Sequence, residues 1–206
     1  MTYIISEIGI NHNGDIELAK ELILKSKKSG CDAVKFQKRD IESVYTKEEL
    51  DTPRESPFGT TTREQKEGIE FSIEQYKELE KFSKEQGLEF IVSCWDKVSL
   101  DLVEEHLDVK YHKVASALAT DKTFLQKLND TKKPIILSVG MCTQEEVDAA
   151  VDILDNVEYI LACTSTYPTK AEELNLKYVQ TLKENYPNIK VGFSNHYNGM
   201  DACVGS

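Results

Sequence analysis

Short apolar runs alternate along the chain with longer stretches of helical period. Seven runs of five residues are rich in β-branched and aromatic side chains, and most are continuously apolar rather than alternating. Continuous apolar runs are typical of parallel strands that are covered on both faces. The pattern predicts strands at residues 3–7, 33–37, 89–93, 111–115, 134–138, 159–163 and 190–194.

The segments between these runs carry signals for the ends of helices. Residues 16–29 have apolar side chains at helical spacing, and Gly30 follows as a C-terminal cap. Residues with a side-chain oxygen that can accept from the first helical turn predict four further helix starts. Two of these have the glutamine or glutamate of a capping box three residues later. The four predicted N-caps are Ser72, Asp121, Thr143 and Asn175.

Regular alternation of strands and helices predicts βα units in a right-handed parallel sheet. No GxGxxG turn follows the first strand, so the pattern does not favour a dinucleotide-binding fold. Seven strands favour a (β/α)8 barrel, although such barrels usually need ~250 residues and this chain has 206. We therefore expect an α/β fold over residues 1–206, a (β/α)8 TIM barrel truncated after strand seven. The connection at about 38–71 is long and polar, and loops of that kind are usually functional or mobile.

Composition narrows the class of protein. The chain has 36 acidic and 25 basic side chains, a net charge of −11 and a pI near 4.9. This balance argues against nucleic acid or an anionic membrane as a partner. No apolar run reaches the ~20 residues of a membrane span, and the N-terminus lacks the basic segment of a signal peptide. We expect a cytoplasmic protein.

The cysteines support the same compartment. There are five, an odd number, and they are scattered along the chain. This predicts reduced, mostly buried thiols rather than a disulfide framework. The chain has neither a CxxC nor an HExxH spacing, which argues against a cysteine-rich zinc site.

Polar side chains lie where the predicted strands end, which is where parallel barrels carry their chemistry. Lys35 and Lys113 lie inside apolar runs, and burying a lysine is costly unless an anion meets it. Together with nearby hydroxyl groups they predict a pocket for a small ligand with a phosphate and a carboxylate. A snorkelling lysine, or an ion pair with Glu7, is the structural alternative. The hydroxyl groups are those of Ser93, Ser116, Ser138 and Ser194.

Other titratable residues allow more than one reading. His196 follows a strand and could be a metal ligand, a general base or a structural residue. His12 could be a turn residue or a substrate contact, whereas His106 and His112 are interpreted as structural. Glu7 could act as a general base, orient a metal-bound water or pair with a lysine.

Five segments resemble the sialic acid synthase family, which includes the N-acetylneuraminate, legionaminate and pseudaminate synthases. The resemblance follows the order and spacing of the family over nearly the whole chain. The segments are residues 5–15 (ISEIGINHNGD), 32–37 (DAVKFQ), 136–141 (ILSVGM), 163–168 (CTSTYP) and 191–196 (VGFSNH).

The resemblance implies condensation of phosphoenolpyruvate with an N-acetylated amino sugar aldehyde, such as N-acetylmannosamine. Phosphate is released, and the product is a nine-carbon 2-keto sugar acid. By position, Gln37 and Tyr167 would line the sugar side, His196 would bind Mn²⁺ or Mg²⁺, and Glu7 would activate or orient water. The residues implied to hold phosphoenolpyruvate are Lys35, Ser93, Lys113, Ser116, Ser138 and Ser194. The full-length protein would be a homodimer.

The chain departs from the family pattern in three places. Residues 92–96 read VSCWD where many members have STPFD, which keeps a hydroxyl. Residues 115–118 read ASAL where many have PSGE, so a carboxylate beside the sugar is lost and the identity of the sugar is open. Strand eight, with a second metal histidine, and a C-terminal antifreeze-like domain are expected but absent.

Two other functions remain open at this point. An aldolase-type barrel would use Lys113 or Lys35 as a Schiff base. A non-catalytic phospho-ligand binding module, or an inactive fragment, would keep the anion pocket without turnover. We expect the 206-residue chain alone to associate through its open sheet edges and to lack synthase activity.

Overall fold

Strands and helices alternate along the chain as the sequence predicts. The computed structural model describes residues 2–206, which divide into two compact units, one ending at Lys110 and one spanning Tyr111–Ser206. The first unit contains β1 (Ile5–Gly9), α1 (Ile16–Lys28), β2 (Ala33–Lys38), α2 (Ile41–Val44), α3 (Lys47–Leu50), β3 (Pro53–Ser56), β4 (Gly59–Thr61), α4 (Thr62–Ile69), α5 (Ile73–Glu85), β5 (Glu89–Cys94) and α6 (Lys97–His106). The second contains β6 (His112–Val114), α7 (Lys122–Asp130), β7 (Ile135–Ser138), α8 (Gln144–Ile153), β8 (Val157–Cys163), α9 (Lys177–Asn185), β9 (Lys190–Ser194) and α10 (Asp201–Gly205), with short 3₁₀ helices at Ser116–Leu118 and Ala171–Glu173.

In the first unit β2 pairs in parallel with β1 on one side and with β5 on the other. The register sets Glu7 beside Lys35 and Gln37 beside Ser93. Side chains alternate between the two faces of a strand, so Lys35 and Gln37, two residues apart, project from the same face. The pairing therefore gathers these four polar residues on one face of the sheet.

In the second unit β6, β7, β8 and β9 are parallel and pair in chain order. Lys113 on β6 lies beside Ile136 on β7. Ser138 comes two residues after Ile136 on β7, so its side chain projects from the same face of the sheet as those of Ile136 and Lys113. At the carboxyl ends of β8 and β9, Cys163 lies beside Ser194. Polar side chains thus also meet at the carboxyl ends of these strands.

Apolar side chains of the strands form the core of each unit. Phe36 and Phe90 are fully buried in the first unit, with ring centroids 5.3 Å apart, and Ile135 and Leu137 are fully buried in the second. Burial of each such side chain contributes about 1.5–3 kcal/mol. Among residues 2–206, no helix combines the length and the apolar character needed to cross a bilayer.

This order of parallel strands and helices confirms the predicted α/β class, with seven strands in the βα sequence of a (β/α)8 barrel. The observed strand bounds differ from the predicted ones by two residues or fewer at each end. Side chains of Ser72, Asp121 and Thr143 accept from the first helical turns, so these predicted caps are confirmed. The prediction for Asn175 is wrong: Leu176 precedes α9 without a side-chain cap, and Asn175 has φ +44°.

The connection at 38–71 contains regular structure, which the sequence analysis did not predict. It folds into three short helices and an antiparallel hairpin of β3 and β4. Capping boxes at Thr46 and Thr61 start two of these helices, which explains why polar sequence forms regular structure here. Glu70 then pairs with Lys38 at 2.7 Å and ties the end of the segment to β2.

The cysteines are less buried than the sequence suggested. All five are free thiols, but only Cys94 is buried, and burial raises the pKa of its thiol. Three others are half-buried and Cys203 is exposed. The expectation of mostly buried thiols is therefore wrong, because Cys31 and Cys142 lie in connections between elements and Cys203 lies on an exposed position of α10.

Candidate active site

Lys35, within β2, and Glu7, within β1, are neighbours in the register of the two strands and form an ion pair. The Lys35 side chain is only 9% exposed, whereas that of Glu7 is 46% exposed. A buried ammonium requires a partner, and here the carboxylate that meets it reaches solvent. The ion pair that the sequence left open is therefore present, with its acidic member on the accessible side.

Gln37 extends this pair into a hydrogen-bonded network. Its Nε2 donates to Glu7 Oε1 at 3.1 Å, and its Oε1 accepts from Arg39 Nη2 at 2.6 Å. Ser93, its neighbour on β5, is buried. The first unit thus brings together Glu7, which the resemblance assigned to water, and three residues that it assigned to substrate, Lys35, Gln37 and Ser93.

Gly9 provides the space for this network. It has φ +56°, a left-handed conformation that side chains other than glycine adopt at a cost. A Cβ at this position would lie 2.8 Å from Glu7 Oε1 and 3.2 Å from Gln37 Nε2. The glycine therefore permits both the backbone turn and the approach of the two side chains.

Arg39 and Trp95 are functional candidates that sequence reasoning missed. The guanidinium carbon lies 4.2 Å from the centroid of the Trp95 ring, a stacked cation–π contact. In residues 2–206, neither the buried Arg39 Nε nor the buried Trp95 Nε1 has a hydrogen-bond partner. A signal existed, since each follows the end of a strand, but nothing in the sequence showed that they meet.

His12 is a structural residue rather than a substrate contact. It is 2% exposed, and its ring stacks on Phe71 with centroids 4.0 Å apart. Its Nδ1 accepts from the Gly14 backbone N–H at 3.1 Å, which stabilises the turn after β1. Burial lowers the pKa of His12 to about 4, against a smaller opposing effect of a hydrogen bond to the Gly9 backbone. The imidazole is therefore neutral near pH 7.

In the second unit, serine hydroxyls surround the backbone of Gly140. Ser116 Oγ accepts from the Gly140 N–H at 3.0 Å, which links the loops after β6 and β7. A Cβ on Gly140 would lie 2.5 Å from Ser165 Oγ, so glycine is needed for this approach. Ser138, at the end of β7, has a buried Oγ without a partner in residues 2–206. That hydroxyl is available to a ligand.

His196 is held in one orientation by the backbone. Its Nδ1 lies 2.7 Å from the Thr164 carbonyl oxygen, which can only accept, so Nδ1 carries the proton in the neutral ring. The Nε2 lone pair is then available, as in histidines that bind metals. The hydrogen bond with Cys163 raises the pKa of His196, whereas burial and the charge of Lys113 lower it.

Cys163 is a second residue that the sequence did not single out. Its Sγ lies 3.7 Å from His196 Nδ1 and 3.9 Å from Ser165 Oγ. Burial alone would raise the pKa of this thiol, but the contacts with His196, Ser116 and Ser165 outweigh it and lower the pKa. The thiol therefore belongs to the polar cluster at the end of β8.

The remaining predicted residues lie around this histidine. The Tyr167 ring is 4.1 Å from the His196 ring, centroid to centroid, and is 75% exposed. Ser194 is beside Cys163 in the β8–β9 register. Lys113 lies close enough to influence the titration of His196. The second unit thus gathers its own predicted residues at one set of strand ends.

The side chains described for the second unit include one candidate metal ligand, His196. His196 offers an imidazole nitrogen, a group that accepts divalent cations. Within residues 2–206, no group of three or more histidine, cysteine or acidic side chains is arranged to hold a metal ion. His196 is therefore one candidate ligand and not a complete site.

Comparisons with known proteins identify the family. In parallel α/β proteins of the barrel type, the functional site lies at the carboxyl ends of the strands, and polar residues of this chain are found there. Residues 22–206 match the NeuB family, and the chain belongs to it. It is similar to the N-acetylneuraminate-9-phosphate synthase of Drosophila melanogaster, with 36% identity over 96% of this chain and 55% of that protein. It is also similar to the N,N'-diacetyllegionaminic acid synthase of Legionella pneumophila, with 36% identity over 98% of this chain and 62% of that protein.

A solved structure agrees with these sequence comparisons. The N-acetylneuraminic acid (sialic acid) synthetase of Leptospira borgpetersenii superposes with a TM-score of 0.83 and 27% identity, over 98% of this chain and 67% of that one. The chain spans 55% to 62% of the length of these two curated relatives. The predicted family is therefore confirmed over nearly the whole chain, which corresponds to part of each relative.

Proposed function

We propose that this chain serves the condensation of phosphoenolpyruvate with an N-acetylated amino sugar aldehyde, with release of phosphate. The observation that carries the proposal is the buried ammonium of Lys35, paired with an accessible carboxylate on the neighbouring strand of a NeuB family protein. Relatives that cover the chain are synthases of sialic-acid-type sugars, which supports this reaction class.

Phosphoenolpyruvate carries a phosphate and a carboxylate, and both need positive charge and hydrogen-bond donors. Lys35 supplies buried charge, and Ser138 supplies a hydroxyl whose hydrogen-bonding capacity is unused within residues 2–206. The assignment of phosphoenolpyruvate to both lysines and to four serines remains a proposal from the family resemblance. Those residues are Lys35, Ser93, Lys113, Ser116, Ser138 and Ser194.

His196 would hold the divalent cation, Mn²⁺ or Mg²⁺, that the resemblance implies. Such a cation supplies Lewis acidity to the aldehyde oxygen of the sugar. The Thr164 carbonyl holds the His196 ring so that Nε2 is free for this role. The Tyr167 ring lies 4.1 Å from the same ring, centroid to centroid, which supports the proposal that Tyr167 contacts the sugar.

In the proposed reaction, the enol carbon of phosphoenolpyruvate bonds to the aldehyde carbon of the sugar. Water then adds to the carbon that bears the phosphate oxygen, and phosphate leaves as that carbon–oxygen bond breaks. Glu7 is exposed and ionised beside Lys35, so it can orient this water and accept its proton. The 2-keto acid and inorganic phosphate complete the balance of atoms.

The Schiff-base alternative is less compatible with the observed contacts. A Schiff-base lysine must lose its proton to become a nucleophile. The side-chain nitrogen of Lys35 is already in contact with the Glu7 carboxylate and is therefore not free to attack a carbonyl group. An anion-binding role suits a lysine in this environment better.

Phosphate release tests the proposed function. The purified chain is incubated with phosphoenolpyruvate, N-acetylmannosamine and Mn²⁺, beside Lys35→Met and a control, Lys25→Met, whose parent side chain is 66% exposed. In any form of the protein that shows turnover, we expect sugar-dependent phosphate release that Lys35→Met abolishes and Lys25→Met retains. Release that is independent of sugar, or trapping of a lysine by borohydride with a keto substrate, would contradict the proposal. Binding of phosphoenolpyruvate without any release would favour a binding module.

A further inference from the structure

The orientation of the Gln37 side-chain amide is fixed from both of its ends. The Arg39 guanidinium contains only donors, so the atom 2.6 Å from its Nη2 must be the amide oxygen Oε1. The ionised Glu7 carboxylate only accepts, so the atom 3.1 Å from its Oε1 must be the amide nitrogen Nε2. Two independent contacts therefore agree on one orientation of the amide.

Arg39 is itself held in place by two neighbours. Its backbone N–H donates to Glu70 Oε2 at 3.3 Å. Its guanidinium stacks on Trp95, 4.2 Å from the ring centroid, and stacking restricts the plane in which the N–H groups lie. Nη2 is thus aimed at Gln37 by the packing around it.

We propose that Arg39, stacked on Trp95, is a positioning residue that holds Gln37 as a hydrogen-bond donor toward the sugar. In residues 2–206, the second N–H of Gln37 Nε2 has no acceptor, while Oε1 is already occupied by Arg39. The proposal rests on the proposed function, because that function assigns Gln37 to the sugar side.

The orientation of the Gln37 amide determines which chemical group of the substrate it can bind. The free N–H of Gln37 requires an acceptor, such as the carbonyl oxygen of an acetamido group. A free ammonium at that position would offer only donors and would leave the amide unpaired, which a buried or half-buried site penalises. Without Arg39 the Gln37 amide is held at one end only, by Glu7, and its terminal torsion has little preference of its own, so the second N–H is directed less firmly. Arg39 therefore contributes to selection of N-acetylated over free amino sugars.

Steady-state kinetics test this role with three variants of the full chain. Arg39→Met removes the donors, Arg39→Lys keeps the charge, and Arg54→Met is the control because Arg54 is exposed on β3. We expect Arg39→Met to raise KM for N-acetylmannosamine about tenfold and to change KM for phosphoenolpyruvate little. Its preference for N-acetylmannosamine over mannosamine should shrink, and Arg39→Lys should restore part of it. An unchanged sugar KM and an unchanged preference would overturn the proposal.

A spectroscopic measurement tests the same role without turnover. The side-chain amide protons of Gln37 are observed by ¹⁵N NMR and assigned by their loss in Gln37→Leu. In Arg39→Met they should move toward free-amide shifts and exchange faster with water, while Arg54→Met leaves them unchanged. The fluorescence of Trp95, the single tryptophan of the chain, should change in parallel. Unchanged Gln37 signals in Arg39→Met would overturn the positioning role, whereas absent turnover in the unaltered chain counts against the proposed function alone.

Discussion

Lys35 and Glu7 on neighbouring strands of the first unit neutralise each other, whereas polar groups of the second unit still have unused capacity. Gln37 and Arg39 extend the first arrangement into a continuous network. In the second unit, within the described residues 2–206, neither Ser138 Oγ nor His196 Nε2 has a partner. Within the described residues, the buried charge of the first unit is paired, whereas a buried hydroxyl and an imidazole nitrogen of the second unit are not.

The difference follows from the cost of burying different groups. A buried unpaired charge is far more costly than a buried unpaired hydroxyl, whose cost is about 1–3 kcal/mol. The first unit contains a buried ammonium and must pair it in the folded chain, so a phosphate there would have to share or replace Glu7. In the second unit the unsatisfied buried group is the neutral Ser138 hydroxyl, which can remain without a partner until a ligand arrives. Substitutions in the two units should therefore have different effects on stability and binding.

The largest expected effect on activity is that of His196→Ala in the second unit. Any form of the protein that shows metal-dependent turnover should lose it, because the candidate ligand nitrogen is removed, while phosphoenolpyruvate binding persists. Turnover with Mn²⁺ and calorimetric binding are measured side by side, with His106→Ala as the control. Full turnover by His196→Ala would show that this histidine is structural.

A pH effect on stability should appear in the first unit, through the buried His12. Burial lowers the pKa of His12 to about 4 in the folded chain, below its ordinary value of 6.5. The unfolded chain thus binds more protons between these values, so this stability is complete above pH 6.5 and is lost as pH falls toward 4. The loss should reach about 3 kcal/mol. Urea unfolding between pH 7 and 4 should show a shallower dependence in His12→Asn, whereas an unaltered slope would contradict the assignment.

Gly9→Ala should damage the paired network through its Cβ. We expect a loss of about 1 kcal/mol from the positive φ, and a displaced Gln37 amide because the Cβ approaches Glu7 and Gln37. Gly30→Ala is the matched control, since it has φ +82° and nothing within 4 Å of its Cβ. Only Gly9→Ala should alter the Gln37 signals in NMR spectra. Equal behaviour of the two variants would remove Gly9 from the site.

The smallest expected effect is the difference in stability between two serine variants of the second unit. Ser116→Ala should lower the free energy of unfolding by about 0.5–1.5 kcal/mol, because the Gly140 N–H loses its acceptor. Ser138→Ala should leave stability unchanged or raise it slightly, because its buried hydroxyl has no partner in the described residues. Thermal and urea unfolding distinguish the two. A clear destabilisation by Ser138→Ala would mean that the hydroxyl has a structural partner.

Much of the fold was predictable because its signals are local. Apolar runs identified all seven parallel strands, and capping residues such as Ser72 and Thr143 identified the starts of helices. The prediction of Asn175 as a helix N-cap was wrong because asparagine also tolerates the left-handed conformation, which it adopts here. The β3–β4 hairpin was missed because its strands are short, polar and largely exposed.

The site was predictable where a polar residue interrupts an apolar strand, as Lys35 and Ser138 do. It was not predictable where the important contact joins residues far apart in sequence. The stack of Arg39 on Trp95 and the approach of Cys163 to His196 are of this kind. Sequence pattern places such residues at strand ends but does not show which of them touch.

Calorimetric titration with phosphoenolpyruvate tests the central claim, that these strand ends bind this anion. The account predicts binding by the unaltered chain and a loss of about ten- to a hundredfold in affinity for Lys35→Met and for Lys113→Met. Lys25→Met, at an exposed position on α1, should bind as the unaltered chain does. Unfolding curves recorded on the same samples establish that each variant is folded. Unchanged affinity in both folded variants would contradict the account and remove the two lysines from the site.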